Sequence, residues 1–429
     1  MTSTVWHVRA GSLSGRFAVP GDKSIAHRAL LLAALADGES VITNVPSGLD
    51  VRATADCISM LGMDVVMGDG RAVVRSSGRF TEPEQPLDAR NSGTTMRLLA
   101  GLLAGQTFRS VICGDASLSR RPMERITAPL TLMGSQIQSE AGHGPLIVQG
   151  RPLHGIRYTL PVASAQVKSA ILLAGLFAQG ITTVVDEART RDHTERMLKA
   201  TGVVVSQFGS SVSIEGLQRP QPFHIDVPGD ISTASFLLAG AALSDGNVVA
   251  ERVGLNPGRI GFLDVLRHMG ARVTITDVMD HMGEPVGDVR VQAGNLRAID
   301  VQEREVPGMV DEVPLVALLA TQAQGRTVVR GAAELRLKES DRLRAIAQTL
   351  RSMGACVEET ADGLEITGPT RLRGTDVHAN GDHRVAMMLG VAGTIADGET
   401  VVHDAGVAAV SFPGYRETIN RLGGHVADA

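Results

Sequence analysis

Charged residues in this chain gather at a few helix starts, and their types say what they could hold. Residues 21–28 read GDKSIAHR, after an extended Phe17-Ala18-Val19 and a Pro20-Gly21 turn. Lys23, Ser24 and Arg28 place an ammonium, a hydroxyl and a guanidinium on the first turn of a helix. The free N–H groups there sit at the positive end of the helix dipole. Such a turn suits a phosphate or carboxylate, and a capped, solvated helix start accounts for the same residues. The glycine spacing of a Walker A loop is absent. Similar starts carry Asn91-Ser92-Gly93-Thr94-Thr95 with Arg97, Arg120-Arg121, residues 164–168 (SAQVK), Thr190-Arg191-Asp192, Asp311-Glu312, residues 338–342 (KESDR) and Asp382-His383-Arg384.

Charges scattered along solvated faces would not concentrate at one end of successive helices. The pattern implies N-termini facing a shared cleft, where Lys23, Arg28, Arg121, Arg191, Lys338, Arg342 and Arg384 act together. A cationic site in an acidic chain fits a small, multiply charged anion, which arginine forks recognise well. Asp311 and Glu339 are the carboxylates best placed among these cations. Each should ionise easily there, and serves either as a general base or as a counter-charge in an ion-pair network. His383 reads as a proton donor, a substrate ligand or a structural hydrogen-bond partner, with the structural role preferred. Cys113 reads as a small buried strand residue rather than a nucleophile. No HxxxH or similar spacing exists, so no metal is expected.

The elements that must position these residues repeat six times. An apolar helix pattern, a glycine and a β-branched strand recur over 29–44, 96–114, 168–187, 234–253, 314–332 and 385–405. Gly38, Gly105, Gly180, Gly246, Gly325 and Gly398 occupy equivalent places and are expected to be left-handed residues closing the helices. A second, more amphipathic helix follows each strand and ends at Gly62, Gly134, Gly202, Gly270, Gly354 or Gly423. The first helices are apolar nearly all round and should be buried. The period is roughly 65–85 residues, longer than that of a solenoid. Residues 17–24 and 225–232 share Val-Pro-Gly-Asp, read as two crossings between domains. The expected domains are 20–228, and 1–19 plus 229–429, with three repeats each and the first residues pairing with the second domain. Asp22 then reads as a structural cap.

Composition narrows the partners. The formal net charge is −5 and aromatics are 3%, so base stacking and nucleic acid are excluded as expectations. Cys57, Cys113 and Cys356 form no CxxC pair, which suits a reducing cytoplasm. The first residues have no apolar signal core, and runs such as 170–178 are too short to span a bilayer. Met387-Met388 reads as core filler.

Together the motifs GDKSIAHR (21–28), NSGTTMR (91–97), GDASLSRRPM (114–123), SAQVKSA (164–170), TRDHTERM (190–197), VPGD (227–230), VDEVPL (310–315), LKESDR (337–342) and DHRVAM (382–387) resemble the 5-enolpyruvylshikimate-3-phosphate synthase family along nearly the whole chain. The resemblance implies a two-domain inside-out α/β barrel of six βαβαββ repeats, with the active site in the interdomain cleft and 20–228 as the acceptor-binding half. It implies transfer of the enolpyruvyl group of phosphoenolpyruvate to the 5-hydroxyl of shikimate 3-phosphate, through a tetrahedral intermediate and without a cofactor. Lys23, Ser24, Arg28, Ser164, Gln166, Arg191, Asp311 and Lys338 resemble the shikimate 3-phosphate contacts. Lys23, Gly93, Arg121, Gln166, Arg342 and Arg384 resemble the phosphoenolpyruvate set. Asp311 is similar to the residue that takes the hydroxyl proton, and Glu339 and Lys23 to those that handle the proton at the methylene carbon. The chemistry implied is positioning plus charge stabilisation.

SAQVK and TRDHTE resemble the class II branch. Val410 stands before Ser411-Phe412-Pro413, where the other branch has a lysine, so that cation is missing. Gly93 implies sensitivity to glyphosate. Small-molecule substrates, no nucleic acid, no membrane, a cytoplasmic location and a monomer are the expected setting. Two alternatives stay open: a UDP-N-acetylglucosamine enolpyruvyl transferase, whose loop carries a reactive cysteine, and a non-catalytic anion-binding homologue. The joint presence of Lys23, Asp311 and Glu339 argues against the second.

Overall fold

The computed structural model describes residues 4–429. The chain divides into two units. One is Gly21–Pro228 with Asp280–Glu284, and the other is Met1–Pro20, Gly229–Met279 and Pro285–Ala429. Six four-stranded sheets share one plan: an edge strand parallel to a central strand, followed by two antiparallel strands.

In the unit built on Gly21–Pro228, the first sheet runs His224–Asp226, Asp37–Thr43, Arg71–Ser77, Asp64–Gly68. The second runs Leu87–Asp88, Arg109–Cys113, His143–Gln149, Gln136–Glu140, and the third Arg157–Thr159, Ile181–Val185, Ser211–Glu215, Val205–Phe208. Each edge strand comes from the preceding repeat. His224–Asp226 closes the cycle by pairing in parallel with Asp37–Thr43, with His224 opposite Val41. The other unit closes with the start of the chain. Ser14–Phe17 is the parallel edge of Asn247–Gly254. Trp6–Arg9 inserts between Thr400–His403 and His425–Asp428, antiparallel to both. The sixth sheet thus takes its third strand from the N-terminus.

The apolar helices fill the interior. Lys23–Leu35, Gly93–Ala104 and Ala165–Gly175 pack together in one unit, and Ile231–Leu243, Val313–Gln322 and His383–Ile395 in the other. Leu30, Leu31 and Leu32, three residues in a row, are all buried, as a helix apolar on every side requires. Strands such as Ser211–Glu215 instead alternate between buried and more exposed positions, one sheet face to the core. This is an inside-out α/β fold, with helices within and sheets around them. Met387 and Met388 are fully buried among the helices.

Helix starts are capped as their residue types predict. Asp22 accepts from Ile25 N, Ser92 from Thr95 N, Ser164 from Val167 N, Asp230 from Ser232 N and Asp382 from Arg384 N. Val313–Gln322 instead has Pro314 in its first turn. The two Pro-Gly-Asp turns carry matching bonds: Asp22 N donates to Pro228 O at 2.8 Å and Asp230 N to Pro20 O at 2.9 Å.

Two of the six expected left-handed glycines are not left-handed. Gly105 has φ −92° as the cap itself, and at the fourth repeat Asp245, φ 53°, takes the conformation expected of Gly246. Close approach requires these glycines instead. A Cβ on Gly105 would lie 2.5 Å from Phe177 Cβ, and one on Gly246 2.0 Å from Leu13 O. Among the described residues no helix is long and apolar enough to cross a membrane.

Candidate active site

In the unit built on Gly21–Pro228, the predicted cations and hydroxyls converge through short polar links. Lys23, first residue of its helix, places Nζ 2.7 Å from Asp50 Oδ2. Arg191 donates from Nη1 to Ser24 Oγ at 3.3 Å, and Arg28 from Nη1 to Ser24 O at 3.0 Å. Arg28 is almost wholly buried, and also donates to Thr194 Oγ1 and Ser169 Oγ, both at 2.7 Å. Burial, then Arg191, bring its guanidinium down to about 10.

A second group forms at the start of Gly93–Ala104. Gln166 donates to Thr94 Oγ1 at 3.0 Å and accepts a short hydrogen bond from Arg97. Arg121 donates to Asn91 Oδ1 at 2.7 Å. A Cβ on Gly93 would lie 3.1 Å from Arg97 Nη1 and 3.5 Å from Arg121 Nη1, so this glycine leaves room beside two guanidinium groups. Ser164 uses its hydroxyl as the cap of the helix bearing Gln166. Beneath these groups, His27 Nδ1 bonds Thr54 Oγ1 at 2.6 Å and Thr54 bonds Thr95 Oγ1 at 2.7 Å. Thr95 donates to Ser92 Oγ at 2.8 Å. Burial holds the His27 imidazole neutral, bringing it down to about 3.

In the other unit Arg342 is the hub. It is 1% exposed and donates from Nη2 to Glu339 Oε2 at 2.7 Å, from Nε to Asp382 Oδ2 at 2.8 Å and from Nη1 to Asp311 Oδ1 at 3.4 Å. Arg384 Nη2 lies 3.9 Å from Asp311 Oδ2. Burial alone would lower the Arg342 guanidinium, but Asp382, Glu339 and Asp311 hold it well above its usual range. For Glu339 burial would raise the carboxyl; Arg342, with His383 and Lys338, outweighs it and holds the group down at about 2. Lys338 is half-buried, and His383 is the buried first residue of its helix.

Neither Asp50 nor Arg259 stands out in the sequence by its own motif. Both stand at second-helix starts, where other repeats have Arg121, Arg191 and Arg342, and the sixfold repeat is the signal that points to them. Arg259 donates to Asp230 Oδ1 at 3.2 Å and closely to Ser232 Oγ. Beside it Glu312 is buried, and burial pushes its carboxyl up against the pull of Arg259. Cys113 is half-buried rather than buried, at a strand end where its Sγ points to Leu87 O at 3.7 Å. Burial raises its thiol, which is the opposite of an activated nucleophile.

The family model for EPSP synthase, 3-phosphoshikimate 1-carboxyvinyltransferase, matches residues 8–419. The chain belongs to the EPSP synthase family. A 3-phosphoshikimate 1-carboxyvinyltransferase of Desulforudis audaxviator is 48% identical over 419 residues, covering 96% of this chain and 98% of the relative. One from Bacillus subtilis is 45% identical, covering 96% and 97%. The solved EPSP synthase of Acinetobacter baumannii superposes with a TM-score of 0.91 at 40% identity, over 100% of both chains. That likeness agrees with the inside-out α/β fold.

Proposed function

We propose that this chain transfers the enolpyruvyl group of phosphoenolpyruvate to the 5-hydroxyl of shikimate 3-phosphate and releases phosphate. It would act as a monomer in the cytoplasm. The observation that carries the reading is Arg342, whose one guanidinium holds two carboxylates, Asp311 and Glu339. A merely anion-binding protein has no need of two carboxylates fixed among its cations.

In this reading Ser24, Arg28, Ser164, Gln166, Arg191 and Lys338 bind the acceptor, and Lys23, Gly93, Arg121, Gln166, Arg342 and Arg384 bind phosphoenolpyruvate. Asp311 takes the proton from the 5-hydroxyl. The oxygen forms a C–O bond to the central carbon of phosphoenolpyruvate, as its methylene carbon gains a proton. Glu339 is ionised in the free protein, so Lys23 is the group with a proton to give. Glu339 then removes a proton from the new methyl group as the C–O bond to phosphate breaks and the enol ether forms; the hydroxyl proton held by Asp311 leaves with the phosphate, and the proton on Glu339 restores Lys23. No covalent bond to the protein is needed.

Phosphate release with phosphoenolpyruvate and each acceptor tests this. Release with shikimate 3-phosphate supports the reading. Release only with UDP-N-acetylglucosamine, or binding without release, would overturn it. The half-buried, raised Cys113 thiol disfavours the aminosugar branch.

A further inference from the structure

We infer that Lys168 is a positioning residue for Arg191, its buried ammonium clamping the loop that presents this arginine to the helix carrying Ser164 and Gln166. The inference rests on the proposed role of Arg191 in holding the acceptor.

Lys168 lies on Ala165–Gly175 and is 2% exposed. Its Nζ donates to Asp186 Oδ2 at 2.8 Å and to Thr190 O at 2.9 Å, and lies 2.8 Å from Glu195 Oε1. Asp186 Oδ2 also accepts from Thr190 N at 2.9 Å and Thr190 Oγ1 at 2.6 Å. Thr190 is therefore held by its N–H, its hydroxyl and its carbonyl. The next residue is Arg191, whose guanidinium reaches Ser24. Ser169 continues the seam: its Oγ bonds Thr194 Oγ1 at 2.7 Å, and Arg28 donates to both. SAQVKSA and TRDHTERM are thus one interlocked piece in space.

The charges suit such a clamp. Lys168 and Arg28 face Asp186 and Glu195, two cations against two carboxylates, all nearly buried. Stability alone does not call for this, since well-packed apolar residues serve a core equally well or better. Buried ions with several directional bonds fix a backbone path, and here the path ends at Arg191.

The test compares Lys168→Met, Arg191→Ala and the double variant in the full chain. Lys168→Met should raise KM for shikimate 3-phosphate about tenfold, with KM for phosphoenolpyruvate within about twofold of wild type. In the Arg191→Ala background it should add nothing further. An unchanged acceptor KM, or effects that multiply with Arg191→Ala, would overturn the inference. Where Lys168→Met does not fold, Lys168→Met with Asp186→Asn and Glu195→Gln removes the charges together and carries the same comparison. A wild-type protein that releases no phosphate would refute the proposed function by itself. Amide exchange then decides the positioning: faster exchange over 187–192 in the Lys168 variant is expected, and exchange as in wild type contradicts it.

Discussion

Glu339 accepts a 2.7 Å hydrogen bond from Arg342, a residue three positions on and almost without solvent exposure. Arg342 starts the helix Arg342–Ser352, whose cap Asp341 accepts from Arg344 N, and Glu339 lies just ahead of that cap. The guanidinium keeps Glu339 ionised, and the same guanidinium touches Asp311. Replacing either carboxylate should therefore spare binding and remove proton transfer. Glu339→Gln and Asp311→Ala should each lower kcat about 10²–10⁴-fold with Kd for shikimate 3-phosphate near wild type. Stopped-flow turnover beside calorimetric binding checks this, and near-wild-type turnover in both would remove them from the mechanism.

Lys23 and Asp50 form a 2.7 Å pair, each partly open to solvent. Asp50→Asn keeps the shape and removes the charge that steadies the ammonium. KM for phosphoenolpyruvate should rise about threefold to tenfold, with folding stability changed by less than about 1 kcal/mol. Steady-state kinetics with a urea melt separates the two effects.

His27 should make stability depend on pH. Its imidazole is held at about 3 in the folded protein, against 6.5 for a free histidine. Between these values the unfolded chain binds the extra proton, so this contribution is fully present above about pH 6.5 and declines on acidification. The slope reaches at most about 1.4 kcal/mol per pH unit. Glu339, depressed from 4.5 to about 2, adds a loss of the same sign lower down. Urea melts of His27→Gln should show a flatter slope between about pH 6 and pH 4 than wild type. An identical slope would contradict the assignment.

Gly93 is the first residue of its helix and has room for a methyl group only if Arg97 gives by a few tenths of an ångström. Gly93→Ala should fold normally and raise KM for phosphoenolpyruvate by about twofold to tenfold. Wild type should be inhibited by glyphosate, and the variant less so. Inhibition curves for both proteins check the two statements together.

Much of this was legible in the sequence because it rests on local rules. Six apolar runs bounded by glycine could only be buried helices, and Asp22 announced a cap by residue type. The positive ends of those helices pointed to an anion before any distance was known. What stayed hidden depends on partners far along the chain. Nothing near Gly105 or Gly246 foretells that Phe177 or the Leu13 carbonyl presses against them. Asp50 shows its importance only beside Lys23, and Arg28 its burial only beside Ser169 and Thr194. That Arg342 bonds three carboxylates of its own unit shows only in the fold.

In the proposed reaction, addition and elimination place a proton on the methylene carbon and take one back. Turnover of phosphoenolpyruvate with shikimate 3-phosphate in deuterated water, followed by proton NMR, tests it most directly. One phosphate should be released per enol ether formed, with solvent deuterium appearing at the vinyl carbon of the product. A product free of deuterium after many turnovers, or no product at all, would contradict it.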